Sequence, residues 1–251
     1  MNDPNEERVV ARDEINWAKS VARLDVPHVP DGAVNLVSGK RLAGPIQGFG
    51  KMWQKTYQAA LPREAVSAED LISIWKQNFQ TFWPDGNRFY APLTGIAPGE
   101  VALISARVPG SSMTLSTGVM VLYADEESFT LMTPQGHMFA GWITFSATER
   151  EGETVAQAQV LMRASDPIFE LGLMLGGHAQ EDQFWNTTLT RLAQHFDVEA
   201  EVDTVVVCVD KKRQWSRWTN VAQSAAIWST VYTLGAPFRA VRGWARRVRH
   251  G

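Results

Sequence analysis

Two stretches of strict alternation flank Glu151 and Gly152, and they restrict the fold more than any other part of the chain. Upstream, residues 141–148 set Ile143, Phe145 and Ala147 against Trp142, Thr144 and Ser146. Downstream, residues 154–163 set Ala156, Ala158, Val160 and Met162 against Val155, Gln157, Gln159 and Leu161. A period of two puts each set on its own face of a strand, and a two-residue link between such runs predicts a hairpin. Further short extended runs at residues 88–90, 101–108, 113–123 and 129–133 are separated by Pro and Gly. The consequence is a multistranded antiparallel sheet.

Helical segments bracket that sheet. Residues 52–61 alternate as a first strand ended by Pro62, and Ser67 then caps a helix over about 68–80, with Glu69 and Asp70 at its positive end and Leu71, Trp75, Phe79 and Phe82 as its buried stripe. After the sheet, Asp166-Pro167 is a helix start, since the carboxylate caps free N–H groups and Pro stands where no N–H is needed. Leu171, Met174 and Leu175 continue at helical spacing, Gly176-Gly177 predicts a break, and Trp185, Leu189, Leu192 and Phe196 mark a second helix reaching about His195. A β-rich run at 202–209 and a helix-like stretch at 215–233 follow. The order of strand, helix, sheet and long helix predicts an α+β class, with residues 1–34 as a poorly anchored N-terminal arm, 35–198 as the domain, and 199–251 as a strand plus a basic helical C-terminal extension.

Apolar residues make up 45% and charged residues 20% of the 251, so a core of ordinary size is available. Ten Trp against four Tyr supply large rigid rings that must pack in a core, line a cavity or lie at an interface. Cys208 is the single cysteine, and Met1 is followed by acidic and polar residues; both features predict a cytoplasmic protein. The net charge of −3 hides an asymmetry. No Asp or Glu follows Asp210, whereas Lys211, Lys212, Arg213, Arg217, Arg239, Arg242, Arg246, Arg247 and Arg249 do, which leaves a body of −12 and a tail of +9.

The element order resembles the START-like (SRPBCC, helix-grip) superfamily, in which a curved antiparallel sheet wraps a long C-terminal helix. The resemblance covers about 35–198. It rests on the runs Gly48-Phe49-Gly50-Lys51-Met52-Trp53-Gln54-Lys55-Thr56-Tyr57, Gly86-Asn87-Arg88-Phe89-Tyr90-Ala91-Pro92-Leu93, Thr133-Pro134-Gln135-Gly136-His137-Met138-Phe139-Ala140-Gly141-Trp142 and Gly176-Gly177-His178, which look like a bacterial family of uncharacterised proteins allied to that superfamily. What the resemblance implies is a cavity between sheet and helix that holds a lipid or other apolar small molecule; some relatives close or dehydrate polyketide rings. Gly176-Gly177 departs from the usual continuous helix, and about 50 residues follow where the family chain often stops.

Trp53, Tyr57, Arg88, Tyr90 and Trp142 are the candidate cavity-lining residues, because concave sites are mostly apolar with a few orienting polar groups; core packing accounts for the aromatics equally. Arg88 among aromatics suits a carboxylate or phosphate, or a surface ion pair. His137, in a turn beside Gly136, and His178, at the start of the last helix, are candidate proton carriers with structural roles as the alternative. Glu181 and Asp182 follow His178, where the helix dipole alone accounts for first-turn acids. There is no phosphate loop, dinucleotide fingerprint, serine elbow or zinc-binding His pair, so no catalytic residues, cofactor or metal are expected.

Residues 218–238 carry no charge, but their Ser, Thr, Asn and Gln content, Gly235 and Pro237 argue against a membrane span. Two readings stay open: the tail packs on the domain, or Trp228, Phe238 and Trp244 enter a lipid interface while the arginines meet anionic headgroups on the inner membrane surface. The acidic body argues against a nucleic-acid partner. The expected function is binding of an apolar ligand. A cyclase or dehydratase using the same cavity and a structural or interaction protein with a filled core are the alternatives.

Overall fold

In the computed structural model, residues 14–108 and 113–235 are described. The predicted hairpin is present: Phe139–Arg150 (β6) and Glu153–Ala164 (β7) pair antiparallel, from Phe139 opposite Ala164 to Arg150 opposite Glu153. Glu151 (φ 50°) and Gly152 (φ 88°) both take the left-handed backbone that a two-residue loop needs to match the twist of its strands.

Six more strands join this pair. They are Met52–Pro62 (β1), Arg88–Tyr90 (β2), Val101–Arg107 (β3), Thr114–Ala124 (β4), Ser128–Met132 (β5) and Val202–Asp210 (β8), in the spatial order β2-β3-β4-β5-β6-β7-β1-β8. Every neighbouring pair is antiparallel. The helices are Ala68–Gln77 (α1), Pro167–Gly172 (α2), His178–Gln194 (α3) and Ala225–Leu234 (α4), with tight helical turns at Phe79–Phe82 and Trp215–Gln223. The cap on α1 is as predicted, the Asp70 amide donating to Ser67 Oγ at 3.2 Å. Asp166 Oδ1 likewise accepts from the Ile168 and Phe169 amides at 2.8 and 3.1 Å.

One face of the sheet carries Tyr57, Ala59 and Leu61 of β1, Ala156, Ala158, Val160 and Met162 of β7, Phe145 and Ala147 of β6, and Val119 and Val121 of β4. Leu71, Ile72 and Trp75 of α1 and Leu189, Leu192 and Ala193 of α3 cover it. This is the helix-grip α+β arrangement, with the long helix laid against an antiparallel sheet.

The space between sheet and helices is occupied by rings. Phe129 stacks on Phe145 at 4.6 Å, Trp75 and Phe79 meet Phe145 edge-on at 5.0 and 5.1 Å, and Trp185 of α3 reaches Phe145 at 5.5 Å. Phe79 also touches Phe89 and Trp83, and Trp83 touches Phe184. Burying each such ring contributes about 1.5–3 kcal/mol, and each favourable pair roughly 1 kcal/mol more.

The arm and the extension do not stand apart from this body. On the opposite face, Leu24, Val26 and Val37 pack with Leu103 of β3 and Met120 of β4, Trp17 meets Tyr123 edge-on at 4.9 Å, and the Leu24 amide donates to Lys40 O at 2.8 Å. The arm, expected to be poorly anchored, is held over residues 14–34 because β3 and β4 present apolar side chains on both faces and the second face needs a cover. At the other end, β8 extends the sheet beyond β1, and buried Arg163 ties it down through Gly50 O, Lys212 O and an ion pair with Asp210.

Residues 215–233, expected as one helix-like stretch, are divided at Ser224 (φ −52°, ψ 127°). Asn220 Nδ2 donates to Gln47 O and Ser165 O, both at 2.8 Å, and the Ala225 amide donates to Gly136 O at 2.7 Å, which fixes the turn against the domain. Beyond it, Ser229 Oγ accepts from the Ser116 amide at 2.9 Å, where β4 runs on past its pairing with β5. No described helix is long and apolar enough to cross a membrane. Phe238, Trp244 and the arginines from Arg239 onward lie outside the described residues.

Candidate functional site

The alternation of β1 aims Trp53, Lys55 and Tyr57 at the helical side, and the first turn of α3 sets His178, Glu181 and Asp182 against them. Lys55 is fully buried. Its Nζ lies 2.7 Å from Asp182 Oδ1 and 2.9 Å from Glu181 Oε2, and 3.4 Å from the His178 carbonyl. Tyr57, also fully buried, donates its hydroxyl to the same Asp182 Oδ1 at 2.7 Å. The Trp53 and His178 rings meet edge-on at 4.7 Å.

These charges set each other's protonation. Burial pushes the Glu181 carboxyl up to about 7, against the downward pull of Lys55. Both Glu181 oxygens lack an aligned hydrogen bond, although Lys55 stands at ion-pair distance. Burial, Glu181 and Asp182 all push the Tyr57 phenol up, keeping it a donor. Burial and then Lys55 push the His178 imidazole down, and its Nδ1 is buried without a hydrogen-bond partner. Chemically, the cluster can bond one polar group through His178 Nδ1. Its carboxylate at the surface is Asp182, 30% exposed.

The break predicted at the glycine pair is the neighbouring feature. Leu175 (φ −91°, ψ 25°) and Gly176 (φ 110°, ψ −2°) leave the helical conformation, and a positive φ of that size is open to glycine at little cost. The turn from α2 to α3 exposes Ile168, Leu171, Met174 and Leu175, the last at 77%. Arg213 joins this segment to the tail through Glu170 Oε1 at 2.7 Å and Met174 Sδ at 3.2 Å. Trp215 and Trp218 beside it are 70% and 58% exposed.

Of the seven sequence candidates, Trp53, Tyr57 and His178 come together here. Arg88 is exposed on the edge strand β2, and Tyr90 donates to Gly32 O at 3.0 Å. Trp142 lies on the sheet face opposite Phe145, opposite Leu161 of β7 and alongside Gly44. His137 is buried in the turn between β5 and β6, where Nδ1 accepts from the Phe139 amide at 3.0 Å and burial pushes the ring down to about 4. Its carbonyl accepts from Ser165 Oγ. Lys55 was absent from the candidates. The sequence signal that could have found it is its position as the lone charge on the face of Trp53, Tyr57, Ala59 and Leu61.

Open depressions mark the surface of the described residues. One of about 640 Å³ follows the flank of α3 along Ala179, Asp182, Gln183, Asn186 and Thr190, and shares Asp182 with the buried cluster. Another, about 280 Å³, lies between Val37, Lys40, Thr117, Gln135 and Trp228. Among the described residues, no three His, Cys, Asp or Glu side chains converge on a point that could hold a metal ion.

No family model matches the chain, and no curated protein matches it. Several solved structures are similar to part of the chain. Protein Ms6760 from Mycobacterium smegmatis has a TM-score of 0.42 at 13% identity, over 62% of this chain and 96% of its own. The di-domain ARO/CYC StfQ from the steffimycin biosynthetic pathway has a TM-score of 0.41 at 12% identity, over 57% of this chain and 50% of its own. Ara h 8.0201 has a TM-score of 0.40 at 12% identity, over 57% of this chain and 97% of its own. Likenesses of this size assign neither ligand nor reaction.

Proposed function

We propose that this chain binds an amphipathic small molecule at the start of α3, without catalysing a reaction on it. The ligand's polar group meets His178 Nδ1 and the Glu181 carboxyl, and its apolar part lies against Trp53 and the exposed Leu171, Met174 and Leu175. The observation that carries this reading is His178 Nδ1, buried without a hydrogen-bond partner beside exposed apolar side chains, since a buried acceptor left without a partner costs roughly 1–3 kcal/mol that a ligand can recover. Trp215 and Trp218, with Lys211, Lys212 and Arg217 close in sequence, suit docking on an anionic membrane from which a lipid could be collected.

Native mass spectrometry of the purified protein tests the binding. An added mass that is lost in Trp53→Ala and Leu175→Asp supports it, and a bare polypeptide that takes up no fatty acid or phospholipid removes it. For the membrane step, cosedimentation with phosphatidylserine vesicles should weaken at high salt and in Trp215→Ala/Trp218→Ala; equal sedimentation with neutral vesicles would dismiss the electrostatic part. A second reading, a non-catalytic interaction protein, is favoured by the ring-filled interior between Trp75 and Trp185. It gains if no ligand is retained while the stability of the core is high.

A further inference from the structure

The two ends of the sheet are guarded unequally. At one end β2 has three residues, too short to template another strand. At the other, β8 runs nine residues from Val202 to Asp210, pairs with β1 in unbroken register from Val202 to Cys208, and among the described residues has no strand on its outer side. Its middle is apolar yet open to solvent: Val205, Val206, Val207 and Val209 are 58%, 44%, 49% and 52% exposed. No proline or lysine interrupts it between Val202 and Asp210. Soluble proteins avoid a long, valine-rich, unpaired edge unless something pairs with it.

Charge identifies what pairs. Glu199, Glu201 and Asp203 precede the valines, and Lys211 and Lys212 follow them, all exposed. A segment that is acidic at its start, apolar in its middle and, past Asp210, whose charge Arg163 holds, basic at Lys211 and Lys212 is complementary to its own copy run antiparallel. Val205 then faces Val209, Val207 faces its own copy, Val206 faces Cys208, and Asp203 of each chain faces Lys211 of the other. A parallel copy would instead put like charges side by side.

We propose that β8 is the dimer interface of this protein, two copies joining edge to edge through antiparallel β8 strands to make one sheet of sixteen strands. The two-fold axis passes near Val207, and the ladder hydrogen bonds along the free edge supply the association, with cross-strand valine and charge pairs setting its direction. The interface flanks β1 and so lies beside Lys55, but it does not depend on any ligand there.

Sedimentation velocity of the full chain tests this. The wild-type protein is expected at about twice the mass of one chain at micromolar concentration, and Val207→Lys, a change at a half-exposed position, should be monomeric with an unaltered circular dichroism spectrum. Glu201→Lys/Asp203→Lys and Lys211→Glu/Lys212→Glu should each dimerise at least about tenfold more weakly, because both ends of each variant then carry one sign. An equimolar mixture of the two should recover dimerisation as a heterodimer. A wild-type chain that stays monomeric up to high concentration overturns the proposal. So does a dimer that survives Val207→Lys, or a mixture of the charge variants that fails to associate.

Discussion

Glu181 and His137 should oppose each other in the pH dependence of stability, and replacing Glu181 separates them. Glu181 keeps its proton up to about pH 7 in the folded chain but releases it near its ordinary 4.5 when unfolded. Unfolding therefore releases a proton, and the stability that Glu181 contributes is full below pH 4.5 and lost as pH rises through 7. The gap of about 2.5 pH units, at about 1.4 kcal/mol each, makes the loss roughly 3 kcal/mol. His137 behaves in reverse. The folded chain refuses its proton until about pH 4, while the unfolded chain binds it near 6.5, so its stabilisation is present above 6.5 and is lost toward pH 4, again by roughly 3 kcal/mol. Between pH 4.5 and 6.5 the two slopes cancel, and the wild-type profile from this pair is flat. In Glu181→Gln only the histidine slope remains. The variant should match the wild type near pH 4.5 and exceed it by about 3 kcal/mol at pH 8, a large part of an ordinary folding free energy. Urea unfolding followed by tryptophan fluorescence at half-unit intervals from pH 4 to 8 measures the difference curve. Parallel profiles for the two proteins would refute the burial argument for Glu181.

Three further outcomes are expected. Lys55→Met leaves Glu181 and Asp182 facing each other without a cation and should cost about 3–5 kcal/mol at pH 7 by urea unfolding, with partial recovery in Lys55→Met/Glu181→Gln. Phe145→Ala removes the ring that Trp75, Phe79, Phe129 and Trp185 share; it should cost about 3–5 kcal/mol and let a small apolar probe such as benzene raise the melting temperature, which it should not do for the wild type. Gly176→Ala forces a Cβ onto a backbone at φ 110° and should cost about 1–2 kcal/mol in thermal unfolding, whereas Gly172→Ala, in an ordinary helical conformation with open space around it, should cost nothing.

The elements were legible because each is written locally. Alternation around Glu151-Gly152, the Ser67 and Asp166 caps, and the glycine break after Leu175 are short-range signals; the helix-grip arrangement was implied by the resemblance of the element order, and the strand order, with β8 beside β1, came only from the pairings of the structure. The site was half legible for the same reason. Trp53, Tyr57 and His178 could be named from their own neighbourhoods, but Lys55 gains its meaning from Glu181 and Asp182, more than a hundred residues away, and the dipole at a helix start had already supplied those acids with an ordinary explanation.

What the sequence determined alone was the face each side chain takes along a strand or helix, since that depends only on the local period. Which faces meet was decided by tertiary structure. Trp142 and Phe145 are both aromatic residues of β6, yet one lies outside and the other at the centre of a ring cluster, because α1 and α3 cover only one side of the sheet there. Likewise the acidic body and basic tail were plain in the composition, but it took the pairing of β8 with β1 and the anchoring of Asn220 and Ser229 to place residues 202–234 against the domain, since such contacts join groups that nothing in a local window relates.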